Sequence, residues 1–357
     1  MTPSPAVPIP NAMDLASIVV AVLALGVLVI IHEGGHYLAA KWGGMSVSKF
    51  AVGFGPALVK TERGGTVFLI GAIPFGGYVQ IDGMHPEDGT DPDSPASFAN
   101  RPRHLRAAAI LAGPAANYIF AFLMLFAFYV GFATAPQPPF EVLQVQAESP
   151  AATAGLEEGD VITGLEGRPF EGYDDLIEAI EASEGKPLLL DVERDGERKE
   201  VAVAPQRTSE DSPWRMGIGF RALGSTPMRY GPLEAIGKAG DFVYRETGRI
   251  MTGLASLISA PSGAQVSGPV GIVKGLSTYV QRSGVDAFLF VAQLSIMLGF
   301  FNLLPIPALD GARLMFLAVG AVRRREVEPR LEAVVHGIGF LMLLGLMVVV
   351  SYFDLVG

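Results

Sequence analysis

The 357-residue chain contains no cysteine. That excludes a disulfide framework, a thiolate metal site and a cysteine nucleophile. Charge is scarce too: 17% of residues are Asp, Glu, Lys or Arg, against 50% apolar ones. The ratio excludes an ordinary soluble protein of this length and points to a membrane class. Lys and Arg are absent from positions 1 to 31. No basic face of the kind nucleic acid requires is evident, so no nucleic-acid partner is expected. No segment repeats.

What is present is a set of long apolar runs. Spans are expected at 14–40, 105–134, 285–306 and 331–353, each near the roughly 20 residues that cross ~30 Å of hydrocarbon as a helix. The first has no basic flank and no small-residue cleavage site, so it is read as a span rather than a signal peptide. Two stretches between spans are rich in positive charge. One carries Lys41, Lys49, Lys60, Arg63, Arg101, Arg103 and Arg106; the other carries Arg313, Arg323, Arg324, Arg325 and Arg330. Both are expected to be cytoplasmic. The termini and the middle of the chain then lie outside, in the periplasm or beyond a bacterial cytoplasmic (inner) membrane.

That middle is acidic. Between Glu141 and Asp211 there are 19 Asp and Glu against 6 Lys and Arg, a balance of −13 in a chain of −10, which leaves +3 elsewhere. A soluble module inserted between membrane halves is expected at 136–207. Its cues are the alternation of Glu141 to Ala147, a helical stretch over Asp174 to Ala182, and paired strands around Asp195-Gly196. The residues 1–135 form the first membrane half and 285–357 the second. The stretch 208–284 is expected to be linker with an amphipathic part, Asp241 to Ala260, lying on the membrane surface or packed as an ordinary helix. In the first basic loop, Gly64-Gly65 followed by Thr66 to Ile70 reads as a hairpin within 47–81. His85 to Pro102 reads as irregular loop.

The chemistry concentrates at His32-Glu33-Gly34-Gly35-His36. Two His at i and i+4 share one helix face and can donate to one metal ion. Glu33 beside them can take a proton from water. Three ionisable residues at the end of an apolar span are costly without a compensating partner. Gly34 and Gly35 either loosen the helix or let another segment approach. Two His leave a catalytic zinc site one ligand short. Asp310, in Asn302-Leu303-Leu304-Pro305-Ile306-Pro307-Ala308-Leu309-Asp310-Gly311, can reach a similar depth because the prolines break the helix. A plain turn after the span is the alternative reading of Asp310-Gly311. His85, His104 and His336 are read as interfacial or structural.

With these motifs the chain resembles the bacterial site-2 proteases, intramembrane zinc metalloproteases. The likeness includes His32-Glu33-x-x-His36, Gly113-Pro114 with Asn117, Ser267-Gly268-Pro269-Val270-Gly271-Ile272 and Asn302…Pro305…Asp310-Gly311. The run from Ser149-Pro150-Ala151 to Ile162 resembles a PDZ domain. The fold class implied is a polytopic α-helical membrane protein of about four transmembrane helices, with a membrane-associated β-hairpin or sheet on the cytoplasmic side and an inserted α+β PDZ-like domain. The resemblance implies Zn2+ held by His32, His36 and Asp310, with Glu33 as general base. It implies substrate contacts at Asn302, Pro305, Gly53 and Gly55, although a packing hydrogen bond would also account for Asn302. The substrates implied are single-span membrane proteins, either anti-sigma factors already trimmed by an upstream site-1-type protease or remnant signal peptides. The alternative is a membrane PDZ scaffold with a vestigial metal site. A metallopeptidase acting outside the bilayer would need a further Glu or His ligand on a soluble helix, and none is evident.

Overall fold

The computed structural model describes residues 15–84, 91, 93–207, 212–259 and 268–356. His85 and Ser267 therefore lie outside the described residues. The chain divides into two units, one of Met1–Ala127 with Ile236–Gly357 and one of Phe128–Ala235.

The first unit opens with α1, Leu15–Trp42. It is apolar nearly all round, as a membrane span requires. Two strands follow, β1 (Val47–Arg63) and β2 (Thr66–Ile81). Gly64 and Gly65 join them with φ of 59° and 73°, the left-handed pair that tight hairpins favour. Both strands bend. Lys49 to Val52 pairs on one side with Val67 to Ile70 and on the other with Gly77 to Gln80. The run 77–80 is thus an outer edge of a small sheet. Where the sheet meets α1, the Tyr37 ring stands edge-on to Phe50 and to Phe68, and those two rings lie tilted against each other. Farther out, Phe54, Leu58, Val59, Ile70 and Ile73 are exposed. The second span is α2, Arg103–Gly131. It stops short of residue 134 because a strand begins there.

The second unit is built on a six-stranded sheet. Its elements are β3 (Thr134–Val145), α3 (Pro150–Thr153), β4 (Val161–Leu165), β5 (Arg168–Pro169), α4 (Tyr173–Ala182), β6 (Leu188–Arg194), β7 (Glu197–Val203) and β8 (Ile218–Pro227). The order is β7-β6-β4-β3-β8, with β5 against β4. Phe140, Val142, Ile162, Leu176, Leu190 and Val192 form its core. Beneath them Asp160 is buried, and Arg194 donates to both its oxygens, at 2.6 and 2.8 Å. Burial pushes the Asp160 carboxyl up, but Arg194 and the Glu157 backbone N–H outweigh that and hold it below the usual range. The sheet runs past residue 207 into the stretch read as linker. The only strand cue in 218–227 is the short alternation of Ile218, Phe220 and Ala222, which pack on the core, and its partner β3 lies over 70 positions away.

The chain returns to the first unit along α5, Pro232–Ser259, longer than the 241–260 stretch expected, with residue 260 outside the described residues. Next comes α6, Pro269–Arg282. The sequence places it in a linker or peripheral segment, and the structure corrects that. Leu276 is buried, and Ser277 Oγ lies 2.6 Å from Ser17 Oγ of α1. Its apolar face, Val273, Leu276 and Val280, packs against α1 and α7 (Gly284–Leu303). Helix α7 ends at Leu303, short of the expected 306, because Pro305 and Pro307 have no N–H to continue it. Two further helices close the unit, α8 (Asp310–Val322) and α9 (Pro329–Val356). Among the described residues four helices are long and apolar enough to cross a membrane: Leu15–Trp42, Arg103–Gly131, Gly284–Leu303 and Pro329–Leu355.

Candidate metal centre

Helix α1 carries His32 and His36 on one face, and both are buried. Two glycines make the room. An added Cβ on Gly35 would lie 2.7 Å from the Ala112 carbonyl carbon and 2.8 Å from Ala116 Cβ. At Gly35, then, α1 lies directly against α2, whereas nothing crowds Gly34. Opposite it, an added Cβ on Gly113 would lie 2.7 Å from His36 Cδ2. The His36 ring sits on the bare backbone of α2.

Each ring is oriented from behind. His32 Nδ1 is 2.9 Å from Asn117 Oδ1, and His36 Nδ1 is 2.8 Å from the Ala109 carbonyl oxygen. Both partners accept, so both Nδ1 atoms carry the proton and both Nε2 atoms present a lone pair. The tautomer thus follows from the oxygen partners.

Asp310 opens α8 and meets these lone pairs. Its Oδ2 lies 3.2 Å from His32 Nε2 and 3.2 Å from His36 Nε2, and the two Nε2 atoms are 3.2 Å apart. Three acceptors form an equilateral triangle with no proton to share. Asp310 Oδ2 is buried without a hydrogen-bond donor. Such a set is repulsive unless a cation sits among the atoms. A tetrahedral zinc with bonds of about 2.0 Å sets neighbouring ligand atoms about 3.3 Å apart. The triangle fits that ion and leaves a fourth position open. Gly311 lets α8 begin close against the end of α7, since an added Cβ would collide with the Leu303 and Leu304 carbonyls.

Glu33 follows His32 on the same helix. The outer edge of the sheet passes here: an added Cβ on Gly77 would lie 2.9 Å from Val29 Cγ1 and 3.5 Å from Glu33 Cγ.

The four residues expected to contact substrate stand outside the triangle. Asn302 Nδ2 donates to the Leu298 carbonyl of its own helix, 2.9 Å away. Gly53 and Gly55 lie in β1 with φ of 79° and 86°, and Pro305 is exposed before Asp310. The supporting groups had weaker signals. Asn117 is a polar residue in an apolar span, which marks it for a polar task. The Ala109 carbonyl has no sequence signal. His336, read as interfacial or structural, is buried in α9, where its Nδ1 accepts from the Ala308 N–H.

A family model described as peptidase family M50 matches residues 20–346. The chain is 34% identical over 369 residues to "Putative zinc metalloprotease Atu1380" of Agrobacterium fabrum, covering 95% of each chain. It is 35% identical to a relative of like designation from a Nostoc species, covering 92% of this chain and 93% of that one. Another, from Clostridium acetobutylicum, is 32% identical, with 96% and 98% covered. Among solved structures, the PDZ domain of an SdrC-like protein from Listeria innocua aligns with 23% of this chain and 93% of its own, at 23% identity and a TM-score of 0.22.

Proposed function

The chain belongs to peptidase family M50 and is a zinc metalloprotease, and we propose that it cuts membrane-spanning segments within the bilayer, using His32, His36 and Asp310 to hold the zinc and Glu33 to move the proton. It is a multi-pass membrane protein. The observation that carries the reading is the triangle of three acceptors, each 3.2 Å from the others, set among apolar helices.

Zinc bound there supplies Lewis-acid polarisation of a peptide carbonyl and makes water a nucleophile near neutral pH. The remaining work falls to side chains. Asn117 and the Ala109 carbonyl keep both imidazoles in the tautomer that offers Nε2. Glu33 accepts the proton of the attacking water and passes it to the amide nitrogen as the C–N bond breaks. A helical substrate must unwind first, because its amides are held in hydrogen bonds. The edge at Gly77 to Gln80 supports a way to hold the unwound segment: it runs beside Glu33 and can pair with an extended chain by β-addition. Gly53 and Gly55 bend the strand system behind that edge. Asn302 and Pro305, which flank the Asp310 loop, are proposed to meet the substrate from the other side.

The positive-inside rule supports a site near the cytoplasmic face, with the acidic PDZ-like unit outside a bacterial inner membrane. The substrates proposed are single-span proteins, namely anti-sigma factors left by a first, site-1-type cleavage, or signal-peptide remnants. The PDZ-like unit would select them by size or by a newly made C-terminus.

The test is cleavage of a tagged single-span substrate in membranes, with zinc measured on each purified protein. Wild type is expected to cut within the span. Glu33→Gln should keep zinc and lose cleavage, and Asp310→Ala should lose both. Turnover by Glu33→Gln would overturn the assignment of the base, and undiminished zinc in Asp310→Ala that of the third ligand.

A further inference from the structure

The loop between α7 and α8 aims Asp310, and its hydrogen bonds can be counted. From Leu304 to Leu309 two residues are proline and have no N–H. The Leu304 N–H goes to the Phe301 carbonyl at 3.1 Å, that of Ile306 to Leu304 at 2.7 Å, and that of Leu309 to Ile306 at 3.1 Å. The N–H of Ala308 remains. The loop offers it no acceptor, and it lies two residues before Asp310 at φ 77°, where an L side chain is rarely found. A half-buried N–H in such a place needs a partner from outside the loop.

The partner is His336. Its Nδ1 accepts the Ala308 N–H at 3.1 Å. The ring is buried, in a helix apolar enough to span a membrane, where a polar side chain calls for a task. Since Nδ1 accepts, the ring is neutral and carries its proton on Nε2. Glu332, one turn earlier, places its carboxylate 3.9 Å from that Nε2 and favours the same tautomer. One turn later Gly339 gives the loop a flat surface: an added Cβ there would lie 2.7 Å from the Pro307 carbonyl carbon and 2.8 Å from its oxygen. One face of α9 therefore grips Pro307 through Gly339 and Ala308 through His336.

We propose that His336 is a positioning residue of the metal centre. By accepting the Ala308 N–H it holds the loop in the one conformation that sets Asp310 Oδ2 at equal distance from both imidazoles. This rests on the reading of Asp310 as third ligand. It ties the last helix of the chain to the zinc site through a single side-chain-to-backbone hydrogen bond.

Two isosteric substitutions separate this role from general packing. An Asn side chain puts its Oδ1 where His Nδ1 stands and can accept the same N–H. A Gln side chain puts its oxygen at the position of Nε2 and cannot. The experiment measures zinc affinity of the full-length chain in detergent by competition with a chromogenic chelator, and the visible spectrum of the cobalt-loaded protein. His336→Asn should bind zinc within about twofold of wild type with an unchanged cobalt spectrum. His336→Gln and His336→Ala should bind about tenfold or more weakly, with a shifted cobalt spectrum as Asp310 leaves its place. Gln and Ala variants that match wild type would overturn the proposal, as would an Asn variant as weak as Gln. Asp310→Ala is run beside them. If it holds zinc as wild type does, the ligand assignment itself fails. If it loses zinc while the His336 variants are unaffected, the positioning role alone fails.

Discussion

Asn117 offers the sharpest test of the geometry. Its Oδ1 lies 2.9 Å from His32 Nδ1, and both residues are buried. If Oδ1 accepts from Nδ1–H, His32 is held with its Nε2 lone pair toward His36 and Asp310. Asn117→Leu removes that acceptor and strands a buried N–H, which costs about 1–3 kcal/mol. Part of the cost is relieved if the proton moves to Nε2, but zinc must then displace it. At about 1.4 kcal/mol per decade that cost corresponds to roughly 5- to 140-fold, and the expected loss of zinc affinity is about 10- to 100-fold, the range for removal of such supporting groups. Asn117→Asp supplies the control. A carboxylate can only accept, so it enforces the same tautomer and makes His32 a stronger donor. Zinc affinity should equal or exceed that of wild type. Chelator competition on purified protein reads both variants. The reasoning is refuted if Asn117→Leu stays within twofold of wild type. It is also refuted if Asn117→Asp binds more weakly than Asn117→Leu, for then the amide was donating through Nδ2.

The other expectations concern packing and the second unit. Gly113→Ala adds a methyl 2.7 Å from His36 Cδ2, so the ring must turn away; zinc affinity should fall at least tenfold, with a loss of about 1–3 kcal/mol in stability, read by chelator competition and thermal unfolding. Arg194→Met leaves the Asp160 carboxylate buried with only the Glu157 N–H, and should cost about 1–3 kcal/mol, visible as faster hydrogen exchange in β4 and β6 of the full chain. Because Asp160 titrates below its unfolded value, its contribution is complete above about pH 4 and is lost as pH falls through the lower folded value. Hydrogen exchange between pH 3 and 5 should show protection of β4 falling with acid in wild type, and less so in Asp160→Asn.

Local features of the fold were legible in the sequence, and long-range ones were not. The four apolar helices stand out because twenty apolar residues in a row have few other uses. The Gly64-Gly65 hairpin was legible because a two-residue turn needs positive φ at both positions. Strand β8 was hidden: its alternation is confined to Ile218, Phe220 and Ala222, followed by Gly224 and a terminal proline, and its order comes from pairing with β3, over 70 positions away. Helix α6 was hidden differently. Its apolar stripe is short, and only the presence of α1 and α7 turns that stripe into core.

The metal centre divides the same way. The His pair was legible because one helix turn brings i and i+4 together, so five residues of sequence contain the geometry. Asp310 lies 274 positions further on and was found by counting ligands, not by pattern. The groups that aim the ligands had no such count to betray them. The Ala109 carbonyl is backbone. The bare surfaces of Gly35, Gly113 and Gly339 matter only once a neighbour is known to press on them. His336 resembled any histidine near a membrane surface until the loop's N–H groups were followed one by one to Ala308. A zinc site requires ligands placed to within a fraction of an ångström, and here that placement is supplied from α2 behind the histidines and α9 behind the aspartate. The chemistry can therefore be read from a few residues, whereas the precision of the site is a property of helices far apart in sequence.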